Sequence, residues 1–358
     1  MTTNLYVTST QTFSGKSALC VGLLSRLQRD GFVVGYMKPV STTARIVGER
    51  VMDEDAHFVK YTFGLPDALD MLAPVILTDQ RVAAILAGHE ESLDMHVRAA
   101  YQSVAQDKDV VVLEGGGSLR EGWLVNLAPP QVAELLEAQT LVLVPYDHDL
   151  QLLDDLITAR ARLGKSLIGA VINRVPSQRM DFVQNQVKPF VERRSVPVFA
   201  VLPSQRVLLS VSVAELSDKL GGEVLCGHQA VGELLENMMV GAMSVDSALT
   251  YFRRKPNKAV ITGGDRPDIQ LAALETSTKC LILTGNLQPN PIILARAEEM
   301  EVPMILVKHD TLSAVEITEQ FFGRIRFHQP KKVKKFVSLL TERFDFDALY
   351  ASLGLSKT

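Results

Sequence analysis

The chain has 358 residues, a length that suits two domains better than one. With 47% hydrophobic residues, 22% charged residues and a net charge of −4, it is globular in composition and lacks the basic character of nucleic-acid binders. Its three cysteines are widely spaced, which indicates neither a metal site nor a disulfide framework and favours a cytoplasmic protein. We expect no signal peptide, no membrane span and no nucleic-acid or membrane partner.

Short apolar runs alternate with helical patterns through the first 203 residues. The runs are apolar throughout, which is typical of strands that are covered on both faces of a parallel sheet. We therefore predict a doubly wound, mainly parallel α/β domain over residues 1–203. The predicted strands are 5–8, 33–37, 110–113, 140–144, 167–172 and 198–201, and the predicted helices are 17–30, 130–138 and 149–163.

A second βα series predicts a smaller α/β domain over 204–325, followed by a helical tail over 326–358. The basic segment 331–335 fits a solvated helix start in this acidic chain, with polyanion binding as the alternative. Methionines 238, 239 and 243 predict core packing or a subunit contact, with a ligand surface as the alternative. The predicted strands are 259–262, 280–284 and 304–307, and the predicted helices are 268–275, 291–299 and 312–321.

The stretch VTSTQTFSGKSA near the N-terminus ends like a phosphate-binding loop. The template G-x-x-x-x-G-K-[ST] places its first glycine where this chain has Thr10. A predicted strand ends before the stretch and a predicted helix begins within it, so that backbone N–H groups would face a phosphate. Gly15 would let the backbone approach closely, Lys16 would reach the β- and γ-phosphates, and Ser17 would ligate Mg²⁺. The alternative is a helix start capped by Ser14.

Charged side chains follow two more predicted strands at the same edge of the sheet. Glu114 ends the run VVVLE before three glycines, where it would hold Mg²⁺ directly or through water. Lys38 would stabilise a transferring phosphoryl group or an anionic substrate. The alternatives are a solvated glutamate at a turn and a surface lysine. Asp53 and Asp55 could add a metal ligand, although acidic helix starts are common.

The order of these segments resembles the dethiobiotin synthetase family over residues 3–203. The likeness rests on the loop with its first helix and the YMKPVS segment, on EDA, on LEGGGSL and on GAVINRV. In that family the first glycine of the loop falls at the place of Ser9, so Thr10 is normal there. The resemblance implies a P-loop NTPase-like fold.

The resemblance also implies roles for individual residues. It assigns nucleotide binding to Thr12, Ser14, Gly15, Lys16, Ser17 and Asn173, with Asn173 at the purine edge; Mg²⁺ to Ser17, Asp55 and Glu114; and contact with phosphate or a carboxylate substrate to Lys38. The segment LREGWLVNLAPPQ departs from the part of the family that helps to form the diamino-acid pocket.

The whole layout resembles the N-terminal half of long phosphate acetyltransferases, where a dethiobiotin-synthetase-like domain precedes a so-called DRTGG domain. The segments ITGGDRPDI and LTGNLQPNP carry this likeness, over residues 205–325. The catalytic acetyltransferase domain would follow, and the sequence ends at Thr358. We therefore do not predict acetyltransferase activity. The resemblance implies a homodimer.

A glycine-rich turn precedes a predicted helix in the second domain. Gly263, Gly264, Asp265 and Arg266 follow a predicted strand, so the turn could take an anion that Arg266 clamps. Alternatively, Asp265 caps the helix and pairs with Arg266.

Three functions are compatible with the sequence. The favoured one is a regulatory or sensor protein that binds ATP or GTP with Mg²⁺, its second domain sensing a small metabolite or forming the dimer. The next is an ATP-dependent enzyme, an ATPase or a ligase that activates a carboxylate or carbamate as dethiobiotin synthetase does. The last is a non-catalytic interaction module whose loop no longer binds nucleotide.

Overall fold

The computed structural model describes residues 2–47, 50–89, 92–322 and 327–356. The chain forms two compact units, the first from Met1–Ser204 with Phe327–Thr358 and the second from Gln205–Arg326. Residues 327–358 group with the first unit, so most of the predicted tail belongs to that unit's fold. The predicted boundary at 325/326 lies outside the described residues. In the described part of the chain, no helix is both long and apolar enough to cross a bilayer.

Strands of the first unit confirm all six predicted runs. They are β1 (Thr3–Ser9), β2 (Val34–Met37), β3 (Val40–Ser41), β4 (Ala44–Val47), β5 (Arg50–Asp53), β6 (Val75–Ile76), β7 (Val110–Glu114), β8 (Gln139–Pro145), β9 (Leu167–Val175) and β10 (Val198–Pro203). Six of them form a parallel sheet in the order β10-β9-β8-β1-β7-β2. The central strands are buried because their residues are apolar on both faces. The carboxyl ends of β1 and β7 therefore lie side by side.

Helices follow most of these strands. The first helix buries its apolar positions 19, 20, 23, 24 and 27, which confirms the predicted amphipathic pattern. The helices are α1 (Lys16–Arg29), α2 (Glu54–Phe63), α3 (Leu69–Leu72), α4 (Asp79–Leu86), α5 (Leu93–Val104), α6 (Pro129–Leu135), α7 (Asp149–Leu163), α8 (Met180–Phe182) and, after a π-helical stretch at Val183–Val187, α9 (Lys188–Glu192).

The second unit is built on a five-stranded sheet. Its strands are β11 (Val211–Ser212), β12 (Glu223–Cys226), β13 (Leu234–Leu235), β14 (Asn237–Val240), β15 (Lys258–Gly263), β16 (Thr278–Thr284) and β17 (Met304–Leu306). The order is β12-β17-β16-β15-β14, in which β12 alone runs antiparallel to its neighbour, and β11 pairs with β13 apart from it. The three predicted strands are confirmed.

Five helices of this unit contribute buried apolar residues to two clusters on its sheet. Met238, Met239 and Met243 pack against these clusters, which confirms core packing for the methionine-rich stretch. Its first part is β14, a strand that the sequence did not predict. The helices are α10 (Arg206–Leu209), α11 (Val213–Leu220), α12 (Val245–Phe252), α13 (Pro267–Leu274), α14 (Pro291–Glu299) and α15 (Thr311–Phe321).

The end of the chain adds two helices to the first unit, α16 (Pro330–Arg343) and α17 (Phe346–Leu353). The basic segment opens α16, which confirms the predicted helix start. Lys331, Lys334 and Lys335 are exposed as predicted, but the prediction of a solvated segment is wrong for Lys332, which is fully buried. Phe336 and Leu340 of α16 lie against Gly22 of α1, where the missing side chain lets the two helices approach. The unit therefore closes its core with residues that are distant in sequence.

Replacing Gly22 by valine should destabilise the first unit by about 1–3 kcal/mol, the usual cost of overpacking a core. A Cβ there would lie 2.7 Å from Leu340 Cδ1 and 3.6 Å from ring atoms of Phe336. Denaturant unfolding followed by the fluorescence of Trp123, the single tryptophan of the chain, measures this effect. The matched control is Gly232→Val, since no atom lies within 4 Å of a Cβ built there. Equal unfolding midpoints for the two variants would contradict the prediction.

Candidate functional site

The loop between β1 and α1 has the backbone of an anion-binding turn. Gly15 is the N-cap of α1 with φ of 102°, a conformation that favours glycine, and no side chain caps the helix. Among the described residues, the N–H groups of Thr12, Phe13, Ser14 and Gly15 have no protein acceptor. The Ser14 hydroxyl is buried and has no partner there either. The alternative of a helix capped by Ser14 is therefore wrong, and the loop presents its donors.

Lys16 points from the start of α1 across the loop. Its side chain is buried, and Nζ donates to Ser9 Oγ and to the carbonyl oxygen of Gly117, both at 3.2 Å. Burial lowers the pKa of Lys16, while the nearby Glu114 carboxylate acts in the opposite direction. Lysine Nζ thus joins the loop to the glycine run that follows β7.

Ser17 and Glu114 form the centre of the candidate metal site. Glu114 lies opposite Val7 in the parallel register of β7 and β1, which brings the ends of the two strands together. Ser17 Oγ donates to Glu114 Oε1 at 2.7 Å, and Tyr36 Oη donates to Oε2 at 2.8 Å. Burial and the charge of Asp55 raise the pKa of Glu114. A hydroxyl and a carboxylate in contact at the start of this helix are the donor set that Mg²⁺ takes in phosphate-loop proteins.

Lys38 lies in a buried network after β2. Its Nζ donates to Asp53 Oδ2 at 2.8 Å and to Asp55 Oδ2 at 2.7 Å. Asp53 also accepts from Ser41 Oγ at 2.6 Å and caps α2 through the N–H of Ala56. Burial alone would lower the pKa of Lys38, but the carboxylates of Asp55, Glu114 and Asp53 raise it. Lys38 is therefore a permanent cation whose charge two carboxylates balance, and the surface-lysine alternative is wrong.

Asp55 has a second partner from the far end of the chain. His328 Nε2 lies 3.1 Å from Asp55 Oδ1, and its ring stacks on Phe58 at 4.6 Å between centroids. Although burial acts to raise it, the pKa of Asp55 is held well below its usual range by Lys38 and by the hydrogen bond with His328. Both carboxylate oxygens of Asp55 are thus engaged by protein groups. His328 was not predicted as part of this site, because it is separated from Asp55 in sequence by the entire second unit.

Side chains from α7 and β9 support the loop from behind. Thr10 Oγ1 and Gln11 Nε2 donate to Asp155 Oδ2 at 3.0 and 3.1 Å. Asn173 Nδ2 donates to the carbonyl oxygen of Ser14 at 2.9 Å and is buried. Thr10, which stands at the first glycine of the template, and its neighbour Gln11 are thereby held by α7. Asn173 has a role in the loop itself, and its contact with a purine stays a prediction.

The residues present fit a nucleotide phosphate with Mg²⁺. Loop N–H groups and a buried, unpaired Ser14 hydroxyl supply donors, Lys16 supplies a cation, and Ser17 with Glu114 supplies oxygen ligands. Within the described residues, no group of three or more His, Cys, Asp and Glu side chains forms a metal cluster. A metal at this site would therefore depend on the serine hydroxyl and on phosphate oxygens as well as on carboxylate.

In the glycine-rich turn of the second unit, the backbone at Gly264 packs directly against the backbone at Leu287. A Cβ on Gly264 would lie 1.8 Å from the carbonyl oxygen of Leu287, so the two backbones are in contact. Arg266 is itself the N-cap of α13 and pairs with Asp268, its Nη2 2.9 Å from Oδ2. The predicted pairing of Arg266 with Asp265 is wrong, as is capping by Asp265. Anion binding by this turn stays a prediction.

Replacing Glu114 by glutamine should raise the melting temperature of the nucleotide-free protein at pH 7 by about 2–4 °C, the effect of roughly 1 kcal/mol in a unit of this size. A raised pKa means that ionised Glu114 costs stability. Protonated Glu114 contributes favourably to the free energy of unfolding. This contribution is complete below the pKa of a glutamate in the unfolded chain, about 4.3, and is lost as the pH rises through the pKa of Glu114 in the folded protein. The difference between variant and wild type should therefore shrink towards pH 4.

Thermal unfolding between pH 4 and 8 measures this effect, and repeating it with nucleotide tests the site. In the variant, Mg²⁺ should add no stability to the nucleotide complex. The matched control is Glu134→Gln, on the exposed side of α6. A melting temperature lowered by the Glu114 variant to the same extent at every pH would contradict the argument.

The fold and the site together define a class of protein. A parallel sheet whose central strand leads through a Gly-Lys-Ser loop into a helix, beside a carboxylate on the next strand, is a P-loop NTPase-like fold. Residues 3–211 match the family model described as an AAA domain, and residues 215–321 match the DRTGG domain. The AAA domain model matches more than half of the chain, so the chain belongs to this AAA domain family. It has a dethiobiotin-synthetase-like P-loop domain before a DRTGG domain.

Similar proteins include two kinds of enzyme. The chain is 26% identical to the phosphate acetyltransferase of Nitratidesulfovibrio vulgaris, across 99% of the chain and 52% of that protein. It is 29% identical to the ATP-dependent dethiobiotin synthetase BioD of Caldicellulosiruptor bescii, across 32% of the chain and 48% of that protein. The chain spans about half the length of the phosphate acetyltransferases that it matches.

A solved structure is also similar to part of the chain. It holds the CBS and DRTGG domains of the regulatory region of Clostridium perfringens pyrophosphatase, complexed with its activator diadenosine tetraphosphate. The match has a TM-score of 0.30 and 18% identity, across 44% of this chain and 74% of that chain.

Proposed function

We propose that the chain binds a purine nucleoside triphosphate with Mg²⁺, ATP in the first place, and that this binding serves a regulatory or metabolite-sensing role. The observation that carries the proposal is the contact of Ser17 with Glu114 beside the buried Lys16. A hydroxyl, a carboxylate and a cation meet there at the edge of a parallel sheet, beside a loop in which the N–H groups of residues 12–15 have no acceptor in the described structure. The kinship with phosphate acetyltransferases suggests that the role belongs to acyl-phosphate metabolism.

Each residue has a distinct task in this proposal. Ser17 and Glu114 would hold Mg²⁺, which neutralises phosphate charge when bound. Lys16 would balance the charge of the β- and γ-phosphates, and the N–H groups of residues 12–15 would donate to phosphate oxygens. Asp55 would join the metal through water only after it gives up Lys38 or His328, because both of its oxygens are engaged.

The alternative function is ATP-dependent activation of a carboxylate or carbamate. The observation in its favour is Lys38, a buried cation at the same edge of the sheet. We rank it second because Asp53 and Asp55 already balance that charge. Release of ADP that depends on a carboxylic acid or an amine would favour this alternative.

Further parts of the proposal concern the second unit and the cellular setting. We propose that the DRTGG domain senses a small metabolite or forms a homodimer. The three cysteines are buried free thiols, which supports a reducing compartment, the cytoplasm. Sedimentation of the purified chain tests the dimer.

Titration calorimetry of the full chain with ATP and with GTP, each with Mg²⁺ and with EDTA, tests the central proposal. We expect ATP to bind in the micromolar range with Mg²⁺ and at least about tenfold more weakly without it, since each factor of ten is about 1.4 kcal/mol. Absence of binding by both nucleotides would overturn the proposal.

A further inference from the structure

The carboxylate of Glu121 lies against the glycine run that follows β7. Glu121 Oε2 accepts hydrogen bonds from the N–H of Gly117 at 2.5 Å and from Thr42 Oγ1 at 3.1 Å. The contact is close, since a Cβ on Gly117 would lie 2.0 Å from Oε1 and a Cβ on Gly116 would lie 2.5 Å from Oε2. The side chain thus fills the space that the two glycines leave open.

Gly117 links this carboxylate to the phosphate loop. Its N–H donates to Glu121, and its carbonyl oxygen accepts from Lys16 Nζ at 3.2 Å. A lysine in this position of a phosphate loop reaches the β- and γ-phosphates. The Glu121 carboxylate therefore lies next to the end of the site where a terminal phosphate would be placed. The two side chains also interact through their charges, since Glu121 is among the carboxylates that oppose the effect of burial on the pKa of Lys16.

The donors around Glu121 are suited to a phosphate. A glycine N–H and a threonine hydroxyl, next to a buried ammonium, are groups that bind phosphate oxygens. The Glu121 carboxylate occupies the position that a phosphate would take among these donors. The chain itself thus supplies the anion. Two anions cannot share these donors, because each would lose hydrogen bonds and like charges at short range repel.

We infer that Glu121 is an internal occupant of the terminal-phosphate subsite and sets the preference between nucleoside di- and triphosphates. This inference rests on the proposed nucleotide binding. A diphosphate leaves the contact of Glu121 with Gly117 in place. A triphosphate has to displace the carboxylate from Gly117 and Thr42, so part of its binding free energy is spent on that exchange. The ratio of triphosphate to diphosphate affinity is therefore lower in the wild-type chain than it would be without the Glu121 carboxylate.

Calorimetry of the full chain with Mg²⁺–ADP and Mg²⁺–ATP tests the inference. Glu121→Gln keeps the size of the side chain and removes its charge, and we expect the ratio of ATP to ADP affinity to rise about tenfold, a change of about 1.4 kcal/mol. Glu121→Ala removes the occupant altogether and should raise the ratio at least as far. The matched control Glu134→Gln should leave it unchanged. Far-ultraviolet circular dichroism and Trp123 fluorescence verify that each variant is folded.

The outcomes separate this inference from the proposed function. If the wild type binds nucleotide and neither Glu121 variant changes the ratio, the inference is overturned and the proposed function stands. If the wild type binds ADP but ATP binds only to a Glu121 variant, the inference is supported, because the carboxylate then blocks the terminal-phosphate subsite, and triphosphate binding by the wild-type chain is overturned. If neither the wild type nor any variant binds ADP or ATP, both are overturned.

Discussion

Replacing Lys16 by alanine is expected to weaken Mg²⁺–ATP binding at least about 100-fold, or roughly 2.7 kcal/mol, the range of a lost hydrogen bond to a charged group in a buried site. Its ammonium is buried and lies between Ser9 and Gly117, so no other cation of the loop takes its place. We do not expect the thermal stability of the nucleotide-free variant to fall along with its affinity for ATP. Burial lowers the pKa of Lys16, so its charged form is disfavoured in the nucleotide-free protein. Calorimetry and thermal unfolding of the same preparation measure the two quantities.

The matched control for this variant is Lys165→Ala, which removes an exposed lysine in the turn after α7. Its affinity for ATP should equal that of the wild type. If Lys16→Ala binds ATP as tightly as the control does, the nucleotide is bound away from the loop and the site is wrong. If Lys16→Ala melts well below the control, the lysine supports the fold, and its loss of affinity no longer identifies a ligand contact.

Most of the fold could be predicted because its signals are local. Each predicted strand of the first domain is a short run of apolar residues, and burial on both faces follows directly from that composition. The contact of Ser17 with Glu114 could be expected for a related reason. Glu114 ends β7, and Ser17 lies in the first turn of the helix that follows the neighbouring strand β1, so both face the same edge of the sheet.

The supporting contacts could not be predicted, because they join residues that are far apart in sequence. Thr10 meets Asp155 across 145 positions, and Asp55 meets His328 across 273. Neither the local residue composition nor the periodicity of apolar residues indicates which distant residues will meet. The helix α16 is an example of the same limit, since the sequence predicts a helical tail but not that this helix packs against Gly22 of α1.

Two alternatives that rest on neighbouring residues, the capping of α1 by Ser14 and the pairing of Arg266 with Asp265, are wrong because of the backbone conformation at these sites. Ser14 is a common capping residue, yet Gly15 takes the N-cap position in a left-handed conformation and leaves the serine hydroxyl free of any partner in the described structure. In the second unit, Arg266 reaches forward to Asp268 in the first turn of α13 rather than to its neighbour Asp265. Adjacent charges in sequence need not face each other.

Replacing Asp53 by alanine is expected to destabilise the first unit by about 3–5 kcal/mol, the usual cost of removing one partner from a buried ion pair. The side chain is fully buried, pairs with Lys38 at 2.8 Å and accepts from Ser41 at 2.6 Å. It also caps α2 through Ala56, a contact worth about 1 kcal/mol by itself. Urea unfolding followed by Trp123 fluorescence reports on this unit. The matched control is Asp94→Ala, an exposed residue in the first turn of α5.

The double variant Asp53→Ala with Lys38→Met tests whether Lys38 and Asp55 still form an ion pair when Asp53 is absent. Removal of Lys38 takes the ammonium partner from the Asp55 carboxylate, so we expect the double variant to be less stable than Asp53→Ala. In the single variant Lys38 depends on Asp55 alone, which ties that carboxylate more firmly to the lysine and away from a metal. The single variant should therefore also need more Mg²⁺ to bind ATP. Asp53→Ala unfolding at the urea concentration of Asp94→Ala would show instead that Asp55 alone satisfies Lys38, and that Asp53 is available as a ligand.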